Sequence, residues 1–163
     1  SKDDLPVTYI LDEFVRLGKI RSIIEMPAIG RGYKVNSLFV IQDYEQISKT
    51  YSQQDLGIIE SNTAYKIILQ QNNFMTAERI SKLIGNQTVK RKSTSRNTSF
   101  KSHGKNISIS EEGLPLVRPE MILNLEEGEA ILLTQGYVNR PIKCNIPYYF
   151  KQPVFKNQIA RAT

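Results

Sequence analysis

Val7-Thr8-Tyr9-Ile10-Leu11-Asp12-Glu13 is the stretch on which the fold turns. Its β-branched, aromatic and aliphatic residues run on without polar alternation, which suits a strand buried on both faces, and two carboxylates close it. Two later stretches repeat the design. Ser37 to Ile41 ends in Gln42-Asp43, and Lys66 to Leu69 ends in Gln70-Gln71-Asn72-Asn73. Apolar runs followed by polar residues predict buried parallel strands whose C-terminal ends open on a crevice. Between the first two runs, Ile20, Ile23, Ile24 and Ala28 share one helical face. Pro27 is expected to kink or restart that helix, and Gly30 and Gly32 to weaken its end. Tyr44 to Tyr51 and Leu56 to Ser61 suit two short helices. The alternation β-α-β-α-β is that of an α/β layered domain.

Downstream, Thr76 is expected to cap a helix presenting Ala77, Ile80, Leu83 and Ile84 to a core, with Gly85 closing it. The character then changes. Residues 90–110 hold eight Ser/Thr and a run of bases with hardly any large apolar side chain, which reads as a flexible loop. Order resumes near Leu114. Pro119 can open a short helix through Leu123, and Glu129 to Gln135 can pair with Asn139 to Ile146 around Gly136-Tyr137. The chain divides accordingly into 1–89, a basic segment 90–110, and 111–163.

Charge is distributed as unevenly as structure. The 163 residues carry 22 Lys+Arg and 16 Asp+Glu, a formal net charge of +6. Eight of the bases lie between Arg79 and Ser110, where there is no acid, so the rest of the chain is slightly acidic. A single cysteine, Cys144, excludes an internal disulfide, and with one histidine, His103, a His/Cys zinc centre is excluded as well. The longest strongly apolar runs, such as Leu38 to Ile41, are far short of the ~20 residues that span a bilayer.

Asp12-Glu13 is the first candidate for chemistry. In nucleotide hydrolases of the phosphate-loop type, an acid at a strand end holds Mg²⁺ through water, and a following glutamate polarises the attacking water. A solvated strand end carries the same residues. Gln42, at the end of the next strand, adds an amide that can bond a γ-phosphate or the attacking water. Arg31, between Gly30 and Gly32, is placed to neutralise charge on a transferring phosphoryl group, or to complement a helix end. Lys90, Arg91, Lys92 and Arg96 suit salt-dependent nucleic-acid binding, or a solvated linker. No Gly-x-x-x-x-Gly-Lys-Ser/Thr occurs, so this stretch of chain alone is not expected to hydrolyse ATP.

Taken together, the chain resembles the C-terminal half of the type IV secretion coupling ATPases, the TraG-like proteins of conjugation. The residues that carry the resemblance are Tyr9-Ile-Leu-Asp-Glu-Phe-Val-Arg-Leu-Gly-Lys19, Gly30-Arg31-Gly32 and Val40-Ile-Gln-Asp-Tyr-Glu-Gln46. Thr76-Ala-Glu-Arg-Ile-Ser-Lys-Leu-Ile-Gly85, Leu116-Val-Arg-Pro-Glu-Met121 and Gln135-Gly-Tyr-Val-Asn-Arg-Pro-Ile142 follow in the same order.

That resemblance implies a partial RecA-like, three-layer α/β sandwich without its Walker A strand, ending in a β-hairpin. It makes Asp12 the Mg²⁺-associated acid, Glu13 the catalytic glutamate, Gln42 the γ-phosphate sensor, and Arg31 a finger completing a neighbour's site in a hexameric ring. ATP and Mg²⁺ are the implied ligands of the full-length protein. Other ring subunits, secretion-channel components and a DNA or protein substrate are the implied partners, at the cytoplasmic face of the bacterial inner membrane. Membrane helices and the Walker A strand belong to the family's N-terminal half. A fragment without that strand is expected to show an apolar gap beside the strand ending in Gln42, with dimerisation, strand swapping or a rearranged sheet as ways to fill it. The competing expectation is a non-enzymatic nucleic-acid-binding or adaptor module that uses the basic 79–110 stretch.

Overall fold

The computed structural model describes residues 5–96, 105–153 and 155. The first apolar run forms β1 (Val7–Asp12), and a 3-10 turn over Phe14–Leu17 follows it. Helix α1 (Arg21–Ile29) carries Pro27 inside it and passes into a second 3-10 turn, Gly30–Tyr33. Pro27 therefore restarts nothing; a tighter turn takes over three residues after it, at Gly30. Strand β2 (Val35–Val40) leads to α2 (Tyr44–Thr50) and α3 (Gln53–Asn62). The latter starts three residues before the apolar pattern does, because Ser52 and Asp55 form a reciprocal capping box. Next come β3 (Tyr65–Ile68) and α4 (Phe74–Ile84). Asn73, not Thr76, caps α4, and Gly85 closes it at φ +93°, a conformation that glycine adopts without strain.

Strands β4 (Asn86–Arg96) and β5 (Lys105–Pro115) then form an antiparallel ribbon. The flexible loop expected over 90–110 is thus corrected for residues 90–96 and 105–110, which are strand. His103 and Phe100 lie outside the described residues. The physical reason is visible in the register: Lys90 lies opposite Glu111 and pairs with it at 3.5 Å, while Arg91 pairs with Glu112 at 3.2 Å. Cross-strand charge pairs support a ladder that composition, taken one strand at a time, does not reveal. Helix α5 (Pro119–Leu123) opens with its proline, and β6 (Glu129–Thr134) pairs antiparallel with β7 (Ile142–Asn145). Cys144 is half-buried in β7.

The described residues form three sheets: β1-β2, β3-β6-β7 and β4-β5. The parallel pairing of β1 with β2 agrees with the apolar runs. Strand β3 departs from them, since it pairs antiparallel with β6 and forms no ladder with β2 among the described residues. Between the facing edges of β2 and β3 lies a slot of about 920 Å³, lined by Leu38, Val40, Gln42, Ile67 and Leu69 among others.

Two cores sit beneath the sheets. Phe14, Ile23, Ile24, Ile47, Tyr51, Leu56 and Ile59 form one, with Leu11 and Phe39 packed against it. Ile68, Ala77, Ile80, Ile84, Ile122, Ile131 and Leu133 belong to the other. The opposite faces of the strands are open, with Ile10 68%, Leu38 50% and Ile67 64% exposed. Strands expected to be buried on both sides are covered on one, so the described residues make two layers where a three-layer sandwich has helices on both faces.

Candidate functional site

Parallel pairing puts the ends of β1 and β2 side by side, with Asp12 opposite Val40. The residues that follow therefore meet at one crevice. Glu13 leaves the strand in the left-handed region at φ +48°, ψ 29°, where a non-glycine residue is strained by about 1–3 kcal/mol. Its neighbour Phe14 holds it there. Phe14 is fully buried, with ring centroids 5.5 Å from Phe39 and 5.7 Å from Tyr51. Tyr51 is fixed in turn, because its hydroxyl donates to the Gly18 carbonyl at 3.0 Å and accepts the Ile20 N–H at 3.2 Å.

The Glu13 carboxylate is thereby turned toward β2. Gln42 Nε2 donates to Glu13 Oε1 at 3.5 Å, the outer limit of a hydrogen bond, and Arg16 Nε pairs with Oε2 at 3.1 Å. Asp12 is exposed at the end of β1. A cleft of about 330 Å³ opens here, walled by Glu13, Arg16, Gln42, Asp43, Gln46 and Lys49. Gln42 and Asp43 also border the slot beside β2, so the cleft and the slot share a wall. Of the sequence candidates, Glu13 and Gln42 are thus brought together, with Asp12 adjacent.

Arg16, Asp43 and Lys49 are cleft residues that the sequence candidates omit. Arg16 stands three positions after Glu13, a spacing that signals the ion pair. Asp43 looks from sequence like an ordinary helix cap, and it is one, accepting the Glu45 N–H at 2.8 Å. Burial pushes its carboxyl up, but the bonds from Glu45, Thr76 and Asn73, with the charge of Lys49, outweigh that and hold it below its ordinary value.

Arg31 belongs to the 3-10 turn after α1, and its side chain is outside the described set. The turn itself depends on Gly30: a Cβ there would lie 2.9 Å from the Val35 carbonyl oxygen. In the basic segment, Lys90, Arg91 and Lys92 are exposed, and the first two are already paired with acids across the ribbon. The Arg96 side chain is outside the described set. Arg79 is committed elsewhere, with Glu60 at 2.6 Å and its guanidinium 5.2 Å over the Tyr44 ring. The acid-free sequence is therefore not an acid-free surface.

Hard carboxylate oxygens suit Mg²⁺, which keeps several waters and shares its shell with substrate phosphates. Asp12 and Glu13 supply such oxygens at the strand end. No group of three or more His, Cys, Asp or Glu that could hold a metal occurs among the described residues. The donor set accordingly fits an ion held by a carboxylate together with water and substrate. No helix among the described residues is long and apolar enough to cross a membrane.

The family of type IV secretory system conjugative DNA transfer proteins matches residues 1–163. VirD4 of Rhizobium radiobacter is 33% identical over 156 residues, which cover 95% of this chain and 22% of that protein. The conjugal transfer protein TraG of Agrobacterium fabrum is 29% identical over 149 residues, 91% of this chain and 22% of that protein. Among solved structures, the bacterial conjugative coupling protein TrwB in an unbound form superposes with a TM-score of 0.72 at 19% identity. That match covers 92% of this chain and 33% of TrwB. TrwB in complex with ADP and Mg²⁺ gives 0.67 at 19% identity, over 92% of this chain and 33% of that one. The chain thus spans about a fifth of the length of these curated relatives. It belongs to the type IV secretory system conjugative DNA transfer family.

Proposed function

We propose that this chain carries the water-activating side of the ATPase centre of a type IV coupling protein, a motor that delivers DNA or protein substrates to a secretion channel. The observation that carries the reading is the meeting of Glu13 and Gln42 at the C-terminal ends of two adjacent parallel strands. That is where ligands bind in open α/β sheets. TrwB, which shares the fold, has been solved with ADP and Mg²⁺ and with nucleotide analogues.

In this reading Asp12 holds Mg²⁺ through water, and the ion supplies charge neutralisation on the phosphates when bound. Glu13 orients the attacking water and takes its proton, since a carboxylate at the end of a strained, anchored turn is pre-aimed. Gln42 keeps its amide beside that water, able to bond the γ-phosphate. Arg31 acts as a finger toward a neighbouring subunit of a hexameric ring, where such a guanidinium is worth ~10³–10⁵ in rate. The slot between β2 and β3 supports placing the Walker A strand of the full-length protein there, and the open strand faces support the missing third layer. The parent is assigned to the cytoplasmic face of the inner membrane. Nucleic-acid contact through the ribbon is the second reading of Lys90, Arg91, Lys92 and Arg96. The ion pairs to Glu111 and Glu112 favour Lys92 for it over Lys90 and Arg91.

The test is Glu13→Gln in the full-length protein. We expect substrate-stimulated ATP hydrolysis to fall about 100-fold or more, with nucleotide binding retained. Hydrolysis at the unmodified rate would remove Glu13 from the mechanism.

A further inference from the structure

Gln42 is followed by a carboxylate whose bonds reach two helices. Asp43 Oδ1 accepts the Glu45 N–H at 2.8 Å and the Thr76 hydroxyl at 2.8 Å, while Oδ2 accepts the Asn73 amide at 3.0 Å. The first bond caps α2; the other two leave the local chain and grip the start of α4. Asn73 uses both ends of its amide, because its Oδ1 accepts the N–H groups of Met75 and Thr76. Thr76 is only 3% exposed, so this first turn of α4 is packed into the core. A helix cap needs one acceptor. Asp43 spends its remaining capacity on fixing the end of β2 to α4.

We propose that Asp43 is a positioning residue for Gln42, through which the first turn of α4 sets whether the Gln42 amide reaches Glu13. This rests on the reading that Gln42 and Glu13 face the nucleotide. Helix α4 ends at Gly85 and passes directly into β4, and the Leu116 N–H bonds the Gly85 carbonyl at 2.9 Å where the ribbon is rooted. A displacement of the ribbon root therefore reaches Gln42 through one rigid helix and one carboxylate. With the Gln42–Glu13 contact already at 3.5 Å, a shift of a few tenths of an ångström decides whether it exists.

The experiment uses the full-length protein and reads substrate-stimulated ATP hydrolysis beside nucleotide affinity. Asp43→Asn keeps an acceptor for the cap but sets an amide N–H₂ against the amide of Asn73. We expect kcat to fall about 10- to 100-fold, with nucleotide Kd and melting temperature little changed. Asn73→Asp alone sets two carboxylates face to face and lowers kcat similarly, whereas the double variant Asp43→Asn/Asn73→Asp exchanges donor and acceptor and recovers most of the rate. Thr76→Val, which removes the hydroxyl at constant shape, lowers kcat about 3- to 10-fold and adds little to Asp43→Asn. A wild-type kcat for Asp43→Asn, or a double variant no better than the singles, overturns the proposal. Gln42→Ala separates the two claims. If it leaves kcat intact, the site assignment falls and the latch with it; if it lowers kcat while Asp43→Asn does not, the latch alone falls.

Discussion

The two halves of the molecule bury their strands differently. In the half built on β3 and β6, strand residues Ile68, Ile131 and Leu133 are themselves core, closed beneath α4 and α5. In the half that carries the candidate site, every fully buried residue comes from a helix or turn, and Leu11 and Phe39 of β1 and β2 are only partly covered. In the first half the strands are themselves part of the core, although the outer face of β3 stays open at Ile67. The second is a platform, whose strand ends are held from below and left open at the edge and on the upper face. The proposed nucleotide site gains from that arrangement, since Glu13 and Gln42 sit on held backbone without being buried.

The sharpest way to break the comparison is to empty each core in turn. Phe14→Ala should cost about 3–5 kcal/mol and Ile122→Ala about 2–5 kcal/mol in urea unfolding. Their locations should differ: hydrogen exchange in Phe14→Ala should accelerate in β1, β2 and α1 while β3 and β6 keep their protection. Uniform loss of protection in both variants would show one cooperative unit in place of two.

A smaller effect tests the platform itself. Glycine tolerates φ +48° and alanine does not, so Glu13→Gly should be more stable than Glu13→Ala by about 1 kcal/mol, although both lack the carboxylate. Equal stabilities would mean that the turn after β1 is not strained.

The smallest effect is acid sensitivity at α3. The hydrogen bond from Lys19 at 2.7 Å, with the bonds to Ser52, holds the Asp55 carboxyl down at about 2, below its ordinary 3.8. A lowered acid contributes stability that is complete above the unfolded value and lost as pH falls through the folded one. Melting temperature should therefore decline between about pH 4 and pH 2, and Asp55→Asn should flatten that decline. An unchanged decline in the variant would assign the acid response elsewhere.

Much of this was legible in the residues. Apolar runs located β1, β2 and β3, Pro119 located α5, and the parallel order of the first two strands was enough to bring Glu13 and Gln42 to one crevice. Three things were not. The partner of β3 depends on β6, more than sixty residues away, and no local pattern encodes it. The ribbon was hidden because its bases find acids only after the chain folds back, at Glu111 and Glu112, immediately beyond the acid-free stretch. Asp43 carries no local sign of its wider role, since its grip on Asn73 and Thr76 spans some thirty residues of sequence.

The slot beside β2 has a consequence for fidelity. Backbone ladders carry no sequence information, so any extended segment that arrives there would be held by similar bonds, a right one and a wrong one alike. Discrimination must come from side chains along the two edges. Most of those along the slot are apolar, Leu38, Val40, Ile67 and Leu69 among them, and accept many partners, whereas Gln42, Gln70, Asn72 and Asn73 of its lining ask for polar ones. A segment that matches the apolar run but leaves those amides unanswered is held less well than one that meets them.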